Sequence, residues 1–183
     1  AFIKVTGPWQ GSVFGDVGGQ DKITAENFAI TELDAHIVKL KSGNNRGKIA
    51  STAEGIAFYF QAVPAEVNFD LTAKVRVEAF DLNNQVSFGL MVRDQVYYNE
   101  AVKEGLGNYL AVGPVDAAKE PAKTVFFRTD SLVKLGDLSI EPKPAAGQEY
   151  DLRLRKAGQT YELTFGQEVP VVIEDVSFFN TAT

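Results

Sequence analysis

Between residues 71 and 79 the chain alternates without a break: Leu71, Ala73, Val75, Val77 and Ala79 are apolar, and Thr72, Lys74, Arg76 and Glu78 separate them. In an extended chain every second side chain lies on one face, so this pattern specifies a strand with one face on a core and the other in water. A slip of one residue would invert it, and register is therefore fixed. Tyr150, Leu152 and Leu154 alternate in the same way with Asp151, Arg153 and Arg155, as do Tyr161, Leu163 and Phe165 with Thr160, Glu162 and Thr164. Lys156-Ala157-Gly158-Gln159 between them predicts a hairpin. Further strands are predicted over 28–30, 36–40, 56–61, 85–94, 109–113, 124–128 and 171–178. Ser42-Gly43-Asn44-Asn45 and Asn83-Asn84 suit tight turns, because Gly and Asn reach positive φ cheaply. Helical character is confined to 98–106, which reads as a loop or a single turn.

About ten short strands without alternating helices predict an all-β fold, an antiparallel two-sheet β-sandwich or a related jelly roll. The chain of 183 residues carries no internal repeat, and 142–147 reads as a surface loop, so one domain over 1–183 is expected. A hydrophobic content of 45% supplies the core that a disordered chain lacks. The net charge of −6 disfavours nucleic acid as a partner. No run approaches the roughly 20 apolar residues of a membrane helix, so no membrane partner is expected. The absence of cysteine removes disulfides, thiolate nucleophiles and cysteine-ligated metals together. A start at Ala1 fits a processed product or a domain excised from a longer protein.

His36, the single histidine, falls in a predicted strand beside apolar residues. That suits a structural or edge position better than a triad, where nucleophile, base and orienter must converge. Glycosidases need paired carboxylates, yet Glu54, Glu66, Asp70, Glu78 and Asp94 stand singly. Asp16 and Asp21 flank two glycines in a loop that would suit an oxygen-ligated Ca²⁺, although a plain polar loop fits better. The segment 85–94 is the most informative. With Phe88, Leu90 and Val92 on the core face, Gly89, Met91 and Arg93 share the other, where Gly leaves space and Arg offers a planar fork of donors. A ligand floor and an ordinary solvated face explain this pattern equally well. If Leu110 and Val112 face the core, Tyr109 turns outward, and with Val125 and Phe127 inward, Phe126 and Arg128 join it. Tyr97, Tyr98 and Asn99 would form a rim. Aromatic faces stack on the C–H faces of sugars while Arg and Asn bind hydroxyls or carboxylates, but packing is the commoner role of such tyrosines.

The runs 47–52 (Gly-Lys-Ile-Ala-Ser-Thr), 55–60 (Gly-Ile-Ala-Phe-Tyr-Phe), 68–75 (Asn-Phe-Asp-Leu-Thr-Ala-Lys-Val) and 88–94 (Phe-Gly-Leu-Met-Val-Arg-Asp) resemble a bacterial module. It is the concanavalin A-like, laminin G-like β-sandwich appended to secreted polysaccharide-degrading enzymes, especially pectate lyases and glycoside hydrolases. The resemblance covers about residues 9–165, and the string at 88–94 is its most specific part. It implies a concanavalin A-like jelly roll that binds polysaccharide without cleaving it, carries structural Ca²⁺, is secreted or displayed at the cell surface, and is covalently linked to a catalytic domain. It also implies a ligand contact at Arg93 and a loop-fixing role for Asp94. Trp9 lies at the edge of the match. Such modules close on a Gly-Leu-Phe-like strand and then a Val-rich strand, and here only 171–178 is a candidate, through truncation or replacement. Arg93 and Arg128 together point to a pectic or uronate-containing glycan. Two rival expectations are a catalytic lyase or hydrolase domain using Tyr97, Tyr98 or Glu78, and an adhesion module that binds protein.

Overall fold

The computed structural model describes residues 3–4, 8–43, 47, 49, 54–79, 86–102, 107–115, 122–129, 132–135, 139–140, 145–174 and 176, and for 3–4, 115, 122–129, 132–135 and 139–140 the backbone alone. The fold is all-β, and a 3-10 turn at Gln20–Lys22 is the one helical element among these residues. The chain divides into two compact units, one formed by Ala1–Val63 with Gln95–Leu106 and the other by Pro64–Asp94 with Gly107–Thr183.

The second unit is a β-sandwich. One antiparallel sheet has the order β14 (Val171–Ile173), β13 (Thr160–Phe165), β12 (Glu149–Ala157), β6 (Phe69–Arg76). The other runs β10 (Leu132–Leu135), β9 (Ala122–Thr129), β8 (Tyr109–Val115), β7 (Leu90–Arg93), with β11 (Ser139–Ile140) also on β9. Leu152, Leu154, Tyr161, Leu163 and Phe165 from the first sheet share one core with Leu110 and Val112 from the second, and Leu90 and Val92 pack against it. The predicted alternation is realised on β6, where Leu71, Ala73 and Val75 are half-buried, Thr72, Lys74 and Arg76 exposed, and Val77 just beyond the strand is buried; Ala79 departs from it and is exposed. The hairpin is tighter than the sequence suggests: β12 continues through Ala157, and only Gly158-Gln159 turn, with Gly158 at φ 63°.

On the outer face of that sheet the cross-strand neighbours are ion pairs. Lys74 meets Asp151 at 2.8 Å, Arg155 meets Glu162 at 3.1 Å, and Arg153 grips Asp70 with Nε and Nη2 at 2.8 and 2.5 Å. The Arg153 guanidinium holds the Asp70 carboxyl below the usual carboxylate range. These cations are matched by acids on a solvated surface, where such pairs fix register more than they add stability.

In the first unit, β2 (Gln10–Gly15) pairs antiparallel with β5 (Gly55–Phe60), while β3 (Phe28–Glu32) pairs antiparallel with β4 (Val38–Ser42) and parallel with β1 (Ile3–Lys4). Val13, Val17 and Phe28 form its core, with Ile23, Ala57 and Ala101 against them. His36 is not in a strand: it is exposed in the β3–β4 turn, where its N–H donates to Asp34 Oδ1 at 2.7 Å. β2 was not predicted. Its run Gln-Gly-Ser-Val-Phe-Gly mixes polar and small residues because it is buried from Ser12 to Gly15 and bonded along both edges.

The sequence string at 88–94 has a backbone reason. A Cβ on Gly89, at φ 156°, would lie 2.0 Å from the Val112 carbonyl oxygen, and one on Gly113 would lie 2.1 Å from the Phe88 carbonyl oxygen. Two backbone segments approach there more closely than side chains permit, beside a register shift between Val112 and Val115. Gly89 therefore serves backbone packing, not the ligand space read from its sequence position. Gly89→Ala is expected to destabilise the fold by about 1–3 kcal/mol, measured as a lowered urea midpoint with an unchanged denaturant slope.

Candidate functional site

The edge of β2 that faces away from β5 would present unpaired backbone groups, which a folded chain must cover. Residues 97–101 cover it. Glu100 N donates to Val13 O at 3.1 Å and Gly15 N donates to Glu100 O at 3.2 Å, in a parallel bridge between Phe14 and Glu100. Asn99 adopts φ 52°, a conformation Asn tolerates better than most residues, and its Oδ1 accepts the Val13 N–H at 3.2 Å. The fully buried Ser12 hydroxyl donates to the Tyr97 carbonyl and accepts the Asn99 N–H at 3.0 Å. Gln20 ties down the far end, donating to Asn99 O at 2.8 Å and accepting from Ala101 N at 3.0 Å.

This clamp projects Tyr98. At 61% exposure it is the one aromatic residue among the large exposed hydrophobics of the described structure. Its hydroxyl donates to Gln10 Oε1 at 3.0 Å, and its ring lies 6.0 Å from that of Phe60, itself stacked on Phe58. Tyr97 turns inward, its ring 6.2 Å from Phe14. Of the three predicted rim residues, Tyr98 is thus a presented ring, Tyr97 a packing residue, and Asn99 a positioning residue whose side-chain oxygen is already bonded.

On the opposite face of the β2–β5 ribbon, Trp9 stacks on Tyr59 with centroids 5.2 Å apart and planes within 9°. Tyr59 donates to Glu32 Oε1 at 2.8 Å. Burial, and then the Glu32 carboxylate that accepts its proton, push the Tyr59 phenol up to about 12.

The predicted floor belongs to the second unit, and its cross-strand row is real: Arg93 lies opposite Tyr109, and Tyr109 opposite Arg128. The side chain of Arg128 lies outside the described residues. The row is not an open surface, however. Tyr109 is fully buried, as are Leu110, Ala111 and Val112, so β8 is covered on both faces. Its unbroken apolar run, Tyr-Leu-Ala-Val, is the signature of such a strand, and reading alternation into it put Tyr109 in the open. The Arg93 guanidinium lies over the Tyr109 ring at 5.8 Å from its centroid and donates to Met91 Sδ at 3.5 Å, so Arg93 packs on both Tyr109 and Met91. Asp94 behaves as the resemblance implies. Its two oxygens accept from Asn108 N and Asn108 Nδ2, both at 2.7 Å, and fasten the base of the following loop.

Asp16 and Asp21 stand in different environments. The Asp21 side chain is 76% exposed and lies 3.3 Å from Lys22, whereas Asp16 Oδ1 is buried with no hydrogen-bond partner. Calcium takes about six to eight oxygens, and no three acids gather to hold a metal among the described residues. Gln10 and Ser12 were missed by sequence reading because β2 gave no alternation to place them, while Phe60 lies in the predicted strand over 56–61 and its place beside Tyr98 depends on a distant loop.

Residues 11–113, more than half of the chain, match the family model described as the pectate disaccharide-lyase N-terminal domain. The chain is also similar to pectate lyase L of Thermoclostridium stercorarium, 39% identical over 121 residues, and to pectate disaccharide-lyase of Dickeya chrysanthemi, 31% identical over 126 residues. These matches cover 66% and 56% of this chain but span only 9% and 17% of the relatives' lengths. No solved structure matches the chain.

Ser12→Ala leaves the Asn99 N–H without its acceptor, and is expected to cost about 1–3 kcal/mol in urea unfolding. The Tyr59 phenol, raised above its ordinary value of 10.0, favours the fold while protonated. Its contribution is full below the unfolded value, near pH 10, and is lost as pH rises toward 12. In alkaline titrations of phenolate absorbance, the difference between wild type and Tyr59→Phe is expected to show one phenol ionising near pH 12, and Glu32→Gln to move it toward 10.

Proposed function

The chain belongs to the pectate disaccharide-lyase N-terminal domain family, and on that premise we propose that it is a non-catalytic accessory domain that holds polysaccharide for a catalytic region of a longer, secreted or cell-surface protein. The observation that carries this reading is Tyr98, an exposed ring fixed from below by the β2 edge and from the side by Gln10 and Phe60. A sugar meets such a platform without first ordering it, which lowers the cost of binding. The share of the relatives outside the match leaves room in them for the bond-cleaving machinery. Weak binding by the domain is enough, because tethering converts it into a high effective concentration of substrate.

A protein-docking reading is favoured by one observation, the exposed Leu33, Ile37 and Leu40 on the β3–β4 hairpin. Retention on insoluble pectin-rich polysaccharide separates the two. The chain is expected to be retained without releasing unsaturated uronate products, and Tyr98→Ala to pass through. A rise in ultraviolet absorbance from unsaturated uronate would establish a lyase instead, and passage of the wild type would remove the polysaccharide reading.

A further inference from the structure

Resting on that reading, we infer that the Tyr98–Gln10 platform takes a neutral, hydroxyl-only sugar unit and not the uronate that the relatives' names bring to mind. The side chain bonded to the ring's hydroxyl is an amide. Gln10 uses its carbonyl oxygen to accept the Tyr98 proton, and its Nε2 has no partner among the described residues. Tyr98 Oη, having given its proton to Gln10, keeps a lone pair. The platform thus offers one acceptor and one amide donor side by side against a flat ring. A sugar hydroxyl both donates and accepts, so two hydroxyls on a ring satisfy this pair while the C–H face stacks on Tyr98.

A carboxylate only accepts. It would meet the amide donor but face the phenol lone pair, with no guanidinium beside that pair among the described side chains. Lys22, in the 3-10 turn that anchors this loop, is itself paired with Asp21 at 3.3 Å. Glu100, two residues beyond Tyr98, is exposed and negative, and the chain as a whole carries −6. Both repel a polyuronate. The domain then anchors its parent protein to neutral stretches of a polysaccharide, leaving the acidic stretches to the remainder of that protein.

Calorimetry of the 183-residue chain with a soluble neutral galactan and with polygalacturonate, each in chelator at low and high salt, tests this. Binding is expected for the galactan alone and with no salt dependence. Tyr98→Ala is expected to weaken it by about tenfold or more, and Tyr98→Phe, which keeps the ring, by about threefold. Preference for polygalacturonate, with affinity falling as salt rises, would overturn the inference and leave the binding reading standing. Equal galactan binding by Tyr98→Ala would remove the platform while sparing the reading. If neither polymer binds while wild type stays folded, the reading itself falls.

Discussion

A strand edge must have its backbone groups satisfied, and in the first unit that requirement shapes everything around the candidate site. β2 has β5 on one side and residues 97–101 on the other, and the second pairing is short, parallel and assembled largely from side chains. Ser12 bridges two consecutive stretches of loop backbone, and Asn99 takes a left-handed conformation so that its side chain can close the gap at Val13. Because Asn99 turns the chain there, the residue before it projects outward. The exposure of Tyr98 is thus a consequence of edge protection, and the ring is held by bonds that do not depend on a ligand.

The second unit solves a different problem. Two sheets share an apolar core, and the backbones of β7 and β8 cross so closely that only glycine fits at Gly89 and Gly113. Past that crossing, Arg93 covers Tyr109 and Asp94 fastens Asn108. The most recognisable string of the sequence therefore describes how a sandwich is closed. Its arginine is consumed in packing, which moves the centre of interest to a segment of the first unit that has no such string.

Where one face was wet and the other dry, the sequence was easy to read. β6, β12 and β13 alternate in the chain as they do in space, and the hairpin at Gly158-Gln159 follows from the same pattern. Alternation failed where both faces are covered. Tyr109 was placed outward by the rule that serves β6, although β8 is a buried strand with no polar face. β2 was overlooked for a related reason, since its small and polar residues are explained by loop backbone that lies 85 or more positions away in the chain. Tyr97, Tyr98 and Asn99 could be named from their place just after the predicted strand 85–94, but their three different roles depend on bonds to Ser12, Val13 and Gln10 that no local pattern encodes. The role of Asp94 came from the family resemblance, and its two bonds to Asn108 agree with it.

The central claim is that ligand meets this protein at the tip of the loop that covers β2. Backbone amide shifts recorded by nuclear magnetic resonance during titration with a soluble neutral galactan test it most directly. The largest shifts are expected at Tyr98, Asn99 and Gln10, with Met91, Arg93 and Tyr109 unmoved. Shifts centred on β7 and β8, with Tyr98 silent, would contradict the claim.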